Sequence, residues 1–332
     1  MILLLLLAII VLSFILIKAT DILLSSIRQV ALSTGIDKFG LTAFILALAT
    51  SLPELFVAIT AAVRGEPTLS LGNVIGSNIA NLSLVMGGAA AMAGVVKASD
   101  KFIKIEVLHT FLAGSLPLLL LLDRQLTRQD GLVLLFVYLL YNLTVLRPKR
   151  RQMIEAQTRG EGTWIRRTWY RIQGTNIERP VTKFFIGISL LIFSADMLVR
   201  VAEKIANIFD LPFILVGMIL VAVGTSLPEL SFEIAAIKKQ ESQMALGNIL
   251  GSVVANSTLI LAVTALISPI TLTNGLRPYL VATIAFILIF GLFWLFVKTK
   301  RTLERWEGII LVIIYFLFVF LEFYKLQNGL SY

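Results

Sequence analysis

The stretch ATSLPELF at residues 49–56 recurs as GTSLPELS at residues 224–231, and each copy places a glutamate inside a long apolar segment. A carboxylate inside a bilayer-spanning segment is costly, so it is usually a functional group that has a partner. Glu54 and Glu229 are therefore the residues that any fold of this chain must explain. Two carboxylates buried together need a cation to balance their charge.

The two copies belong to a longer internal repeat with a constant offset of 175 residues. Residues 46–86 and 221–261 are identical at 18 of 41 positions without a gap. The repeated residues after each glutamate are polar or glycine: Gly72 and Gly247, Asn73 and Asn248, Gly76 and Gly251, Ser77 and Ser252, Asn81 and Asn256. Shared apolar composition would align Leu and Ala, so these matches indicate a duplicated half with one fused site.

The composition excludes an ordinary soluble domain, since 58% of the residues are hydrophobic, 15% are charged, and the mean hydropathy is +0.90. The sequence predicts an all-α polytopic membrane protein. Ten apolar stretches are long enough to cross a hydrocarbon layer of about 30 Å. They lie near 1–26, 36–63, 67–96, 104–123, 129–147, 181–207, 211–238, 242–268, 276–298 and 306–325.

The ten predicted transmembrane helices divide into two repeats of five, at residues 1–147 and 181–332, joined by a basic linker at 148–180. Because five is odd, the second repeat must enter the membrane from the opposite side, so the repeats are inverted. Inverted repeats are typical of secondary transporters, which place a midplane site between the repeats. The linker is expected to be a short amphipathic helix on anionic headgroups or a plain cytoplasmic connector.

The distribution of Lys and Arg predicts the orientation in the cell membrane. With the N-terminus outside, 22 of the 29 basic residues fall on the cytoplasmic side. The opposite orientation would invert this ratio. Both termini are therefore predicted outside, and the linker 148–180 is predicted to be cytoplasmic.

Several kinds of chemistry are excluded by residue type. The chain has no cysteine and a single histidine, His109, which is expected to be structural. Neither a nucleophile and base pair nor an ATP-binding loop is apparent, so we expect no enzyme activity and no cofactor. The expected partners are ions and the lipid bilayer, with no nucleic acid and no obligatory protein partner.

Pro53 and Pro228 each precede a glutamate, and a proline inside a helix removes one amide donor and displaces the carbonyl four residues earlier. Carbonyl oxygens in these turns and the neighbouring hydroxyls would supply cation ligands one turn from each glutamate; these hydroxyls belong to Thr50, Ser51, Thr225 and Ser226. The alternative is a simple helix kink in which Ser and Thr bond back to the backbone.

Asn73, Ser77 and Asn81 are spaced four residues apart and share one helix face, which should point to the protein interior. Gly72 and Gly76 form a small-x-x-x-small spacing that permits close helix approach. Such stripes often only join helices. Here the stripe follows the acidic phrase in both halves, which favours a shared pocket.

A calcium ion takes about six to eight oxygen ligands, with carboxylates supplying the charge. Two glutamates neutralise one divalent ion, whereas three monovalent ions would leave a net charge of +1. Exchange of the two loads would therefore move charge across the membrane.

The duplicated TSLPE and GN-x-x-GS-x-x-x-N segments resemble the alpha repeats of the cation/calcium exchanger superfamily, in particular its prokaryotic sodium/calcium exchangers. The resemblance implies that Glu54 and Glu229 are central calcium ligands, shared with sodium. It also implies sliding of the first and sixth helices over a fixed core. Further implied ligands are the side chains of Thr50, Ser51, Ser77, Thr225, Ser226 and Ser252, the carbonyls of Ala47 and Ala222, and Asn81 and Asn256 as pocket residues.

Two positions depart from the repeat or from the family pattern. Potassium-dependent relatives carry an acid at the position of Asn256, so asparagine there argues against potassium coupling. Val253 stands where the first repeat has Asn78, which predicts a less polar wall on that side.

Glu233 lies four residues after Glu229 on the same face, while its repeat partner is Ala58. We expect Glu233 to reach toward Lys238, Lys239 or cytoplasmic water, the alternative being a staging ligand on the inward path. Asp21 and Asp196 are expected to bond backbone groups near helix ends.

The leading hypothesis is a sodium-driven calcium antiporter that exports calcium. The nearest alternative is proton/calcium exchange, with the glutamates carrying protons. A passive cation channel is a further alternative, which the inverted repeats disfavour.

Overall fold

The computed structural model of the protein describes residues 2–34, 50–99, 106–157, 178–272 and 277–327. The implied ligand Ala47, much of the predicted span at 36–63 and the central part of the linker lie outside the described residues.

The first half begins with α1, the uninterrupted helix Ile2–Thr34. Its other elements in chain order are α2 (Leu52–Val63), α3 (Pro67–Ala80), a π-helical turn (Asn81–Val85), α4 (Met86–Ala93), β1 (Val96–Lys97), α5 (Val107–Leu120), a 3-10 turn (Leu121–Asp123), β2 (Gln125–Leu126) and α6 (Arg128–Gln157).

The second half begins with α7, the long helix Glu178–Phe209. Its other elements in chain order are α8 (Phe213–Val216), a π-helical turn (Gly217–Val221), α9 (Ala222–Thr225), α10 (Leu227–Lys238), α11 (Ser242–Val254), a π-helical turn (Ala255–Ile260), α12 (Leu261–Ile267), β3 (Ile270–Thr271), α13 (Arg277–Lys300), β4 (Thr302–Leu303) and α14 (Arg305–Gln327).

Each of the ten predicted spans contains a helix. Seven helical segments of the described residues are long and apolar enough to cross a membrane: Leu4–Leu23, Pro67–Ala93, Pro180–Phe209, Phe213–Lys238, Ser242–Ile267, Val281–Lys300 and Arg305–Lys325. Leu52–Val63 and Val107–Asp123 are shorter apolar helices within predicted spans. The chain is thus a mainly helical, multi-pass membrane protein, and the exact number of crossings stays a prediction.

The long helices α1 and α7 pack against each other along their lengths and form a unit beside the rest of the molecule. Their contact surface contains fully buried apolar side chains, including Leu16 of α1 and Leu191 and Leu198 of α7. These are the first and sixth helices of the predicted ten.

Glycines allow two helical segments at the centre of the molecule to cross backbone against backbone. A Cβ atom on Gly72 or Gly76 of α3 would overlap the carbonyl oxygen of Ile214 or Met218, respectively. A Cβ on Gly217 would meet the carbonyl oxygen of Leu69 in the same way. The close approach predicted from the spacing of Gly72 and Gly76 is therefore confirmed.

Two short antiparallel strand pairs join the halves. In one pair, Val96 of β1 lies opposite Leu303 of β4. In the other, Leu126 of β2 lies opposite Ile270 of β3. Exchanging the halves, with offsets of 174 and 177 residues, converts one pair into the other. All four of these apolar side chains are buried, so each pair is a closed contact between the repeats.

Candidate cation-binding site

The repeated acidic phrase breaks the helix at the same point in both halves. Ser51 and Ser226 have nearly identical backbone angles, φ −88° with ψ 5° and φ −88° with ψ 3°, and a new helix starts directly after each. Pro53 and Pro228 therefore occupy the first turn of a new helix, where a missing amide donor costs little. The prolines mark helix starts here, rather than kinks within one continuous helix as predicted.

Glu54 and Glu229 lie in the first turns of α2 and α10 and are completely buried. Among the described residues, none provides a hydrogen-bond partner for any of the four carboxylate oxygens. The charge of Glu54 acts directly on the carboxyl group of Glu229, so the fold brings the two glutamates together. Buried carboxylates without partners carry a large desolvation cost, which a bound cation would offset.

Two sets of hydrogen bonds flank the glutamates, and each set joins the two halves. The hydroxyl of Thr50 donates to Oδ1 of Asn248 at 3.1 Å and lies 3.2 Å from the hydroxyl of Ser252. We name Thr50, Asn248 and Ser252 the first flank. It pairs the acidic phrase of the first half with the GN-x-x-GS stretch of the second half.

The second flank consists of Thr225, Asn73 and Ser77, which are the repeat partners of the first flank. Thr225 donates to Oδ1 of Asn73 at 3.3 Å and lies 3.5 Å from the hydroxyl of Ser77. All three side chains are completely buried. The sequence predicted a shared pocket, but it did not show that each phrase contacts the stripe of the opposite half.

The asparagines Asn81 and Asn256 begin or lie within π-helical turns next to the flanks. Both are completely buried, and their side-chain oxygen and nitrogen atoms find no hydrogen-bond partner within the described part of the chain. The same holds for the nearly buried hydroxyls of Ser51 and Ser226. Single π turns are frequent at functional sites, and nothing in the sequence pattern predicted them.

The carbonyl oxygen of Ala222 accepts two hydrogen bonds, from the backbone N–H of Ser226 at 3.0 Å and from the hydroxyl of Thr225 at 3.3 Å. It therefore lies at the edge of the second flank. Within the described residues, no group of three or more His, Cys, Asp or Glu is placed to hold a metal ion. A cation at this site would take most of its ligands from hydroxyl, amide and carbonyl oxygens.

Glu233 is completely buried, so the expectation that it reaches toward Lys238, Lys239 or cytoplasmic water is wrong. Its Oε1 accepts a hydrogen bond of 2.9 Å from Nδ2 of Asn248. Since Asn248 belongs to the first flank, Glu233 is attached to the site. Asn248 was part of the repeat but was missed as a site residue, although its position in GN-x-x-GS was the available signal.

The expectation for Asp21 and Asp196 is also wrong. Both lie inside long helices and contact basic side chains instead of backbone groups. Asp21 pairs with Lys18 at 3.8 Å, while Asp196 pairs with Arg200 at 2.7 Å and with Arg64 at 3.3 Å. The ionic contacts of Arg64 connect the end of α2 to α7.

The wall around Val253 is less polar than its repeat counterpart, as predicted. Asn78 donates to the hydroxyl of Ser257 at 2.7 Å. The repeat partners of these two residues are Val253 and Leu82, which are both completely buried. One polar pair in the core is thus replaced by an apolar pair on the other side.

Comparison with known proteins identifies a family that shares both halves. The family model described as sodium/calcium exchanger protein matches residues 4–147 and 180–324. The inner membrane protein YrbG of Escherichia coli is 32% identical over 240 residues, covering 71% of each chain. The sodium/calcium exchanger MaX1 of Methanosarcina acetivorans is 24% identical over 338 residues, covering 93% of this chain and 95% of that protein.

The fold is also similar to a solved structure of the sodium-calcium exchanger NCX_Mj soaked with sodium and strontium ions. The match has a TM-score of 0.59 at 26% sequence identity. It covers 95% of this chain and 97% of that chain.

Proposed function

Because the chain belongs to the sodium/calcium exchanger protein family, we propose that it exchanges sodium for calcium across the membrane by alternating access. Membership makes the chain a multi-pass cation/calcium antiporter, a transporter rather than a member of an enzyme class. The proposal adds the driving ion, the mechanism and the residues that hold the ions.

The observation that carries the proposal is the pair of buried carboxylates without partners, Glu54 and Glu229, between two flanks of neutral oxygens. We assign the central calcium site to these carboxylates. One calcium ion balances their two charges, whereas three sodium ions leave a net charge of +1. The exchange is therefore proposed to be electrogenic.

Neutral hydroxyl and amide oxygens in the flanks support sodium as the driving ion, because a proton carrier does not need them. We assign sodium ligands to the flanks, to the hydroxyls of Ser51 and Ser226, and to the Ala222 carbonyl, with Asn81 and Asn256 beside the centre. The Ala47 carbonyl is its proposed counterpart outside the described residues.

The inverted arrangement is supported by the two strand pairs. With ten alternating crossings, β1 and β4 fall on one membrane face, and β2 and β3 fall on the opposite face. Exchange of the halves converts one pair into the other, as inverted repeats require. We propose that repeats 1–147 and 181–332 form this arrangement, with 148–180 in the cytoplasm and both termini outside. Calcium extrusion is the proposed direction.

The test is calcium uptake into liposomes that contain the purified protein. Uptake is measured with an outward sodium gradient, with a pH gradient and with neither gradient. The proposal predicts uptake with the sodium gradient alone. Uptake driven only by the pH gradient would instead support proton/calcium exchange, and uptake without either gradient would support a passive channel.

The site assignment is tested with Glu54→Gln and Glu229→Gln in the same liposomes. Removing one partner of a buried charge costs about 3–5 kcal/mol, so each variant should lose at least about 100-fold in uptake rate. Glu241→Gln changes an exposed glutamate and is the matched control with full activity. Retained uptake in both site variants would refute the assignment.

A further inference from the structure

The two flanks have matching sequences but different surroundings. In the first flank, Nδ2 of Asn248 donates to the buried carboxylate of Glu233. In the second flank, Nδ2 of Asn73 is buried and lacks a partner within the described residues. The reason is the repeat itself, because Ala58 stands where Glu233 would be. One flank thus has a carboxylate behind it and the other has none.

The contact with Glu233 fixes the orientation of the Asn248 amide. A carboxylate only accepts hydrogen bonds, so the amide must turn its NH₂ group toward Glu233. Its oxygen then points to Thr50, as the distance of 3.1 Å from the Thr50 hydroxyl confirms. The first flank therefore presents an oriented carbonyl oxygen, with the Thr50 and Ser252 hydroxyls next to it, toward any cation that binds there.

Glu233 also adds a third carboxylate to the charge of the site. It lies one helical turn after Glu229, and its charge acts on the Glu229 carboxyl. Its second oxygen, Oε2, is buried and finds no hydrogen-bond partner within the described residues. A negative charge behind the first flank stabilises a load of total charge +3 more than a load of total charge +2.

We propose that Glu233 is a positioning and specificity-determining residue for sodium at the first flank, acting through Asn248. The inference rests on the proposed function, since it assigns a role in sodium binding. It implies that the two flanks differ in sodium affinity. The first flank is the stronger of the two because its amide oxygen is oriented and backed by a carboxylate.

The experiment measures calcium uptake of Glu233→Gln while the sodium and calcium concentrations are varied separately. The half-saturating sodium concentration should rise about tenfold, as expected when a charged hydrogen-bond partner is replaced by a neutral one. The half-saturating calcium concentration should change by less than about twofold, because Glu54 and Glu229 remain. Glu233→Asp keeps the charge and should restore most of the sodium affinity.

Asn248→Ala provides an independent route to the same answer. It removes the amide through which Glu233 acts, so it should produce the same selective loss of sodium affinity. The double variant with Glu233→Gln should then be no worse than either single variant, which is the signature of two residues acting as one unit. If Glu233→Gln fails to elute as a single species, Glu233→Asp and Asn248→Ala carry the test.

Equal shifts in the sodium and calcium affinities, or no shift in either, would overturn the role of Glu233 while leaving the proposed function intact. Fully additive effects in the double variant would overturn the action through Asn248. Wild-type protein without sodium-driven uptake would overturn both proposals, because a sodium flank requires sodium transport. Glu241→Gln is again the control, with both affinities unchanged.

Discussion

The crossing of α3 over the π-helical turn Gly217–Val221 yields a prediction that depends on a single methyl group. In Gly76→Ala the new Cβ atom would overlap the backbone carbonyl of Met218. Backbone cannot rotate away as a side chain can, so the two segments must separate. Overpacking of this kind costs about 1–3 kcal/mol, and the higher helix propensity of alanine returns about 1 kcal/mol. The net loss should be about 1–2 kcal/mol.

The same separation should disturb the second flank. Ser77 follows Gly76 directly, and its hydroxyl is already 3.5 Å from that of Thr225. A further shift would break this contact, because hydrogen bonds weaken beyond that distance. We therefore expect Gly76→Ala to lose sodium-driven calcium uptake in addition to stability.

The assay is thermal unfolding of the purified protein in detergent, followed by tryptophan fluorescence. At about 2 °C or less per kcal/mol for a chain of this size, the midpoint should fall by about 2–4 °C. The matched control is Gly291→Ala, since a Cβ there meets no atom within 4 Å among the described residues. Its midpoint should stay the same or rise. A Gly76→Ala protein as stable and active as wild type would refute the reasoning.

Three more predictions concern other contacts of the site and of α7. Arg64→Gln should lower the unfolding free energy by about 1 kcal/mol or less, and 1 M salt should shrink the difference in thermal midpoint between variant and wild type, because the ion pairs are partly exposed; an unchanged difference would contradict it. Thr50→Val should raise the half-saturating sodium concentration in liposome uptake more than its repeat partner Thr225→Val does, because the first flank is backed by a carboxylate. Gly224→Ala should slow uptake, because its Cβ would overlap the Ser13 hydroxyl of α1, and adding Ser13→Ala should restore the rate; failure of this rescue would show that the two residues do not compete for space.

The periodic features of the fold could be predicted from the sequence because they depend on local chemistry. Apolar runs of sufficient length gave the helices, and the offset of 175 residues related the two glutamates. The spacing of Gly72 and Gly76 predicted a close helix crossing, since glycine is the residue that permits one. The burial of Asn73, Ser77 and Asn81 followed from their shared helix face.

The features that the sequence did not predict depend on contacts between distant residues. Nothing in the repeat specifies that Thr50 meets Asn248 instead of Asn73, because both asparagines have the same neighbours in sequence. The burial of Glu233 was missed for a similar reason. Nearby lysines in the sequence suggested a solvent contact, whereas the packing of α10 against α11 turns the side chain inward. The π-helical turns likewise result from packing, which no local propensity encodes.

The two strand pairs have a consequence for how the protein is made. Each pair takes one strand from each half, so neither pair can form until the second half has been synthesised. The last strand needed is β4, at Thr302–Leu303, close to the end of the described chain. Until then the first half carries two unpaired strand segments and the buried carboxylate of Glu54 without its counterpart. The halves are therefore expected to mature together, as one late assembly step, and not as two modules that fold in turn.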